Sequence, residues 1–121
     1  MSELVDRAAE LLGNAYAPYS SYHVAAVVRT ADGREFGGIN VESAAYPLGV
    51  CAEKVAIAAA ATAGVRPGEI AEMGITASPC GGCRQWIFEW RIPKVSFRRD
   101  DGTIATYAAA DLLPDTWDLP E

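Results

Sequence analysis

The position of its three cysteines constrains this chain more than any other feature of its 121 residues. Cys51 opens the run 51–63 (CAEKVAIAAAATA), and the segment Pro79-Cys80-Gly81-Gly82-Cys83 opens the run 81–90. Good helix formers fill the first run, which Gly64 and Pro67 close; 81–90 reads as a second helix, closed by the Pro93 region. Between them, 70–77 (IAEMGITA) reads as a short strand. If the cysteines act as a set, the fold must bring two helix starts together across that strand.

The remaining segments supply the rest of a sheet. Leu4, Ala8, Leu11 and Leu12 follow helical spacing, and Gly13-Asn14 stops that helix. Residues 22–30 (YHVAAVVRT) read as a buried strand, Asp32-Gly33 as a hairpin turn, and 34–41 (REFGGINV) as the returning strand. A second hairpin joins 94–99 to 103–107 around Asp100-Asp101-Gly102, and 108–113 forms a last short helix before Pro114. The order α-β-β-α-β-α-β-β-α predicts an α/β fold. Its expected form is a three-layer α/β/α sandwich around a mixed five-stranded sheet, in one domain spanning 1–121.

Three thiols and no obvious fourth ligand match what an open zinc site needs, since catalytic zinc takes three protein ligands and leaves one position for water. The only histidine, His23, is placed in the first strand and is not required. Helix N-termini lower thiolate pKa values and hydrogen-bond sulfur, which helps three thiolates share one dication. Lys54, in the first turn after Cys51, offsets part of the remaining negative charge. Glu53, two residues after Cys51, is placed to approach a metal-bound water without ligating, as a general acid/base does. Two plainer readings compete. Inert buried cysteines would not explain two helix starts beside Pro and Gly, and a redox Cys-x-x-Cys pair would leave Cys51 and Glu53 without a role. Glu53 also suits a helix first turn on electrostatic grounds alone.

Charge and hydropathy narrow the partners. Sixteen acidic against ten basic residues give a net charge of −6, which opposes binding to nucleic acid or anionic membrane. Arg91, Lys94, Arg98 and Arg99 cluster, but Asp100 and Asp101 follow at once, so they read as a solvated edge or a subunit contact. The amphipathic N-terminus lacks the features of a secretion signal, and the longest apolar stretch is too short to span a bilayer. The expected location is the cytoplasm, where clustered cysteines hold metal more often than disulfides.

At 40–57 (NVESAAYPLGVCAEKVAI) and 78–85 (SPCGGCRQ) the sequence resembles the small zinc-dependent cytidine deaminases, and the resemblance runs from 16-YAPYSSYHVAA-26 to 112-LLPDTW-117. It implies one zinc on Cys51, Cys80 and Cys83, and hydrolysis of cytidine and deoxycytidine to uridine and deoxyuridine plus ammonia. In that chemistry a zinc-bound hydroxide attacks C4, while Glu53 carries protons to N3 and to the leaving ammonia. It further implies that Asn40 and Glu42 bond the sugar hydroxyl, and that Tyr22, Ala52 and Trp117 contribute to substrate binding. Trp117 would reach the pocket of a neighbouring subunit in a homotetramer. Lys54, Arg84 and Gln85 would lie just beyond the metal ligands. For Asn40 and Glu42 an exposed strand end, and for the two aromatics ordinary packing, are the competing readings.

The sequence departs from the family at three places. The first strand reads 24-VAAV-27 in place of Val-Gly-Ala-Ala, Lys54 replaces an arginine, and only Ser78 and Pro79 separate the third strand from Cys80 where the family carries several more residues. The competing functions are deamination of a modified cytosine nucleoside, such as a blasticidin-S-type antibiotic, and a noncatalytic zinc-stabilised binding domain.

Overall fold

The computed structural model describes residues 2–118. Five strands, β1 (Ala25–Thr30), β2 (Glu35–Ile39), β3 (Ile70–Ile75), β4 (Val95–Arg98) and β5 (Ile104–Tyr107), form one sheet in the order β2-β1-β3-β4-β5. Only the β3–β4 pair is parallel; the other three are antiparallel, so the sheet is mixed, as expected. The parallel step is the one that needs a crossover, and α3 (Gly81–Glu89) provides it.

The sheet separates two unequal helical layers. On one face Leu4 and Ala8 of α1 (Glu3–Ala9) pack on Ala25 and Val27 of β1. On the other, Ala56, Ile57 and Ala60 of α2 (Ala52–Thr62), Ile87 of α3 and Leu112 of α4 (Ala109–Leu112) close over Ala26, Val28, Met73, Ile75, Val95 and Phe97. These inward positions are spaced two apart along each strand, as the pleat requires.

Two glycines set how closely the layers approach. A Cβ on Gly38 would lie 2.4 Å from Ala56 N and 2.6 Å from the Ala52 carbonyl oxygen, so the backbone of α2 rests directly on β2. A Cβ on Gly74 would lie 2.4 Å from the Leu4 carbonyl carbon, and α1 rests on β3 in the same way. The alanine-rich composition of α2 thus serves close packing as well as helix propensity.

Several boundaries differ from the sequence expectation. The first strand begins at Ala25; before it, Asn40 holds the chain through its side chain, which bonds Val24 N–H and the Tyr22 carbonyl, and through its own N–H, which donates to the Val24 carbonyl at 3.1 Å. The second strand ends at Ile39, where the chain leaves the sheet. The first helix ends at Ala9 and a 3₁₀ turn, Leu12–Asn14, carries the chain onward. A second 3₁₀ turn at Tyr46–Leu48, with Pro47 inside it, was not expected. Helix α2 stops as its sequence implies: Gly64 takes φ 97°, Gly64 N–H donates to Ala61 O, and Val65 N–H reaches back to Ala60 O.

Candidate active site

The two helix starts do meet. Cys51 caps α2, Cys80 caps α3, and Cys83 lies in the first turn of α3. Their three sulfurs lie within 4.8 Å of one another, with Cys51 Sγ and Cys80 Sγ 3.9 Å apart. Zinc–sulfur bonds of about 2.3 Å in a tetrahedron put sulfurs about 3.8 Å apart, so the cluster accepts zinc with adjustments of no more than about 1 Å. Among the described residues the group consists of these three thiols, which leaves a fourth tetrahedral position open. Cys83 N–H donates to Cys80 Sγ at 3.4 Å, the helix-terminal contact expected to favour thiolate.

The thiols are unequal. Hydrogen bonding from Cys83, then from Cys80, with Lys54 adding its charge, holds Cys51 down to about 6 against the burial that opposes it. Cys83 is fully buried; its hydrogen bond to Cys51 and its burial, then the charges of Glu53 and Cys51, push it upward. The two neighbouring sulfurs titrate as a pair, and zinc displaces thiol protons when thiolates ligate it.

Glu53 points inward from the first turn of α2 and is only 3% exposed. Burial raises its carboxyl above the ordinary range, and the neighbouring Cys51 charge raises it further; its own backbone N–H and the Cys83 thiol pull the other way. A carboxyl moved toward neutral pH in this way suits proton transfer in both directions. Ala52 is fully buried between Cys51 and Glu53, its carbonyl lodged against Gly38. Lys54 places its ammonium 5.9 Å from the centroid of the Trp86 ring and beside Gly82, at the rim of the cysteine cluster.

A second group of expected residues lies on a small ladder outside the main sheet. Tyr16 bridges Val41 in parallel, and Val41 bridges Val50 antiparallel. The antiparallel bridge sets Asn40 and Cys51 on one side and Glu42 and Gly49 on the other. Asn40 spans the chain before β1: its Oδ1 accepts from Val24 N–H at 3.0 Å, and its Nδ2 donates to the Tyr22 carbonyl at 2.8 Å. One N–H and one lone pair of that amide remain for other partners. Glu42 Oε1 accepts from the N–H groups of Tyr19 at 3.0 Å and Ser20 at 3.1 Å, while Oε2 accepts the Ser20 hydroxyl. Chiefly through that hydroxyl, Glu42 is held below the ordinary carboxylate range and stays ionised near neutral pH.

A cavity of about 300 Å³ opens here, walled by Tyr19, Ser20, Glu42, Ser43, Tyr46 and Gly49. Tyr19 and Tyr46 meet edge to face across it, 6.0 Å between centroids. Sequence reasoning found Glu42 but missed the other five. The signal available was turn chemistry, Pro18 before Tyr-Ser-Ser and Pro47 before Leu-Gly, which marks loops without indicating that two of them face each other. Tyr22 lies beside this cavity in sequence, but its side chain is 56% exposed and is not among the wall residues.

Of the residues expected beyond the ligands, Arg84 braces the shortened approach to Cys80. Its Nε donates to the Pro79 carbonyl at 2.9 Å, Nη1 to the Leu112 carbonyl at 3.0 Å and Nη2 to Ser78 Oγ at 3.3 Å. Gln85 fastens the C-terminal segment: its Nε2 donates to the Trp117 carbonyl at 3.0 Å and its Oε1 accepts from Thr116 Oγ1 at 3.0 Å. Trp117 is 65% exposed and is not a wall residue of the cavity. Arg91, Lys94 and Arg98 pair with Asp118, Glu72 and Asp6, and Arg99 donates to Tyr107 Oη, so these four cations do not form an open basic groove. Among the described residues no helix is long and apolar enough to cross a membrane.

Comparisons with known proteins agree with this geometry. Residues 1–99 match the family model of the cytidine and deoxycytidylate deaminase zinc-binding region. A cytidine deaminase of Sporosarcina psychrophila is 35% identical over 121 residues, covering 94% of this chain and 88% of that protein. One from Mycobacterium tuberculosis is 34% identical over 118 residues, covering 94% and 86%. The crystal structure of a cytidine deaminase from Burkholderia pseudomallei superposes with a TM-score of 0.89 at 39% identity, over 97% of this chain and all of that one.

Proposed function

This chain belongs to the cytidine and deoxycytidylate deaminase family, and on that premise we propose how its residues divide the work. The enzyme is a zinc-dependent cytidine deaminase, converting cytidine and water to uridine and ammonia. We assign the zinc to Cys51, Cys80 and Cys83. Zinc held there supplies Lewis acidity, which makes water nucleophilic near neutral pH.

The protein's own part is proton movement and orientation. Glu53 takes a proton from the attacking water and delivers it to N3 as C4 becomes tetrahedral. It then carries the second water proton to the exocyclic amine, which departs as ammonia, and the carboxylate is regenerated. Burial of Glu53 beside the cysteine cluster is the observation that carries this reading, because it puts a proton carrier of raised pKa next to the thiols that would hold the metal. Asn40 and Glu42 hold the sugar, with the spare amide N–H and the ionised carboxylate as complementary partners for hydroxyls. A pocket built to bond hydroxyls discriminates strongly against nucleosides that lack them. Cytidine and deoxycytidine are both within the proposed range.

Residues 1–121 form one catalytic domain in this reading, and the enzyme works in cytoplasmic pyrimidine salvage as a homo-oligomer. Tyr46, Leu48 and Val50, exposed at alternate positions of one short segment, support the last point, since neighbouring exposed apolar side chains suit contact with another chain. The deciding experiment measures zinc content beside cytidine turnover for wild type and Glu53→Gln. The variant should retain one zinc per chain and its fold while kcat falls by about 10²–10⁴-fold. Undiminished turnover would remove Glu53 from the reaction.

A further inference from the structure

We propose that Ser20 is a positioning residue for the substrate sugar: its hydroxyl fixes the Glu42 carboxylate so that one acceptor site, on Oε2, faces the cavity for a single sugar hydroxyl. The proposal rests on the reading of Glu42 as the sugar contact and goes beyond it by saying what orients that contact and how many hydroxyls it accepts.

The acceptor inventory carries the argument. An ionised carboxylate has about four lone-pair sites. Glu42 Oε1 receives two N–H groups, from Tyr19 at 3.0 Å and Ser20 at 3.1 Å, and is filled. Oε2 receives the Ser20 hydroxyl and keeps one site. Ser20 has a single hydroxyl proton, and its oxygen already accepts Tyr22 N–H at 3.0 Å. The proton is therefore committed to Glu42, and the carboxylate cannot rotate without breaking bonds to both residues.

The loop is shaped for this wrap. Ser21 takes φ 60°, a left-handed conformation uncommon outside glycine, and its N–H closes the turn onto the Ala17 carbonyl at 3.0 Å. Glu42 is anchored from its own side as well, its N–H donating to the Tyr16 carbonyl at 2.9 Å. Ser20 and Glu42 are both wall residues of the 300 Å³ cavity, so a ligand there meets the Glu42 side chain, and Oε2 is the oxygen with an acceptor site left to offer it.

The test compares kcat and KM on cytidine and on 2′,3′-dideoxycytidine, which lacks the sugar's ring hydroxyls, for wild type, Ser20→Ala, Ser20→Thr, Glu42→Gln and the Ser20→Ala/Glu42→Gln double variant. Ser20→Ala should raise KM for cytidine about tenfold, the worth of one charge-assisted hydrogen bond, with kcat nearly unchanged. Ser20→Thr, which keeps the hydroxyl, should restore wild-type KM. On dideoxycytidine Ser20→Ala should match wild type, and in the Glu42→Gln background it should add nothing. Equal increases in KM on both substrates would show general loop damage and overturn the proposal. If Glu42→Gln raises KM for cytidine and Ser20→Ala does not, Ser20 loses its role while Glu42 keeps its own. If Glu42→Gln leaves KM at the wild-type value, the sugar reading itself falls and takes the proposal with it.

Discussion

The cysteine cluster and the Glu42 cavity lie on either side of one two-residue bridge, Val41 with Val50, yet they are built on opposite principles. The cluster stands on two helix starts pressed against the sheet. Ala52, Glu53 and Cys83 are almost wholly buried there, and Gly38 lets the α2 backbone touch β2. The cavity is built from loops, with Tyr19, Tyr46 and Leu48 exposed and a handful of hydrogen bonds to Asn40 and Glu42 holding it together. Bond-making chemistry needs groups fixed to a fraction of an ångström, which packed helices supply. Recognition of a hydroxylated ligand can be entrusted to polar loops carried on that scaffold.

If this division is correct, damage to the first region should destroy metal binding, stability and kcat together, whereas damage to the second should fall on KM. Cys83→Ser is the most severe break, because it removes a buried thiolate ligand. Zinc affinity should drop by more than about a hundredfold and turnover should vanish with it. Chelation of the wild-type enzyme should reproduce both losses and lower the thermal midpoint, and added zinc should reverse all three. Zinc content by atomic absorption beside a melting curve checks the pair.

Gly38→Ala is next in size. Its methyl group would meet backbone atoms of α2, which cannot swing aside as a side chain can, so the helix must lift from β2 at some cost in stability, about 3 kcal/mol. Because that helix carries Cys51 and Glu53, kcat should fall along with the denaturation midpoint. A stable variant with normal kcat would show that the site does not depend on this close approach.

Asn40→Ala sharpens the other side of the comparison. It removes the acceptor for Val24 N–H and the donor to the Tyr22 carbonyl, at about 1 kcal/mol in global stability given how open these bonds are. Zinc should remain stoichiometric and kcat close to normal, while KM rises and the Val24 amide exchanges its hydrogen faster. A lost metal would mean that the small ladder supports the cysteines and not only the cavity.

Much of the rigid region was readable in advance because its signals are local. Cys51 precedes a run of helix formers, Pro79 and Gly81-Gly82 punctuate the second start, and three cysteines acting as one ligand set implied that the two starts would converge. The layer architecture followed from the order of elements. Gly38 and Gly74 were not singled out, since in sequence they look like weak points in strands, and only the opposing helix backbones give them meaning. The cavity was harder. Glu42 stood out by its resemblance to a known pattern, but the bonds it receives come from residues 19 and 20, across a turn whose path no periodicity encodes. Asn40 was expected to face substrate, and its side chain also braces the chain entering β1 through Val24 N–H and the Tyr22 carbonyl.

The split of the cysteines between α2 and α3 also has a consequence in time. Cys51 and Cys80 are 29 positions apart, with all of β3 between them. Neither helix start alone offers three sulfurs, and closing so long a loop costs chain entropy before any contact rewards it. The full ligand set therefore comes into being only when β3 has taken its place in the sheet. During refolding, metal capture should report the completion of the molecule's middle and lag behind helix formation.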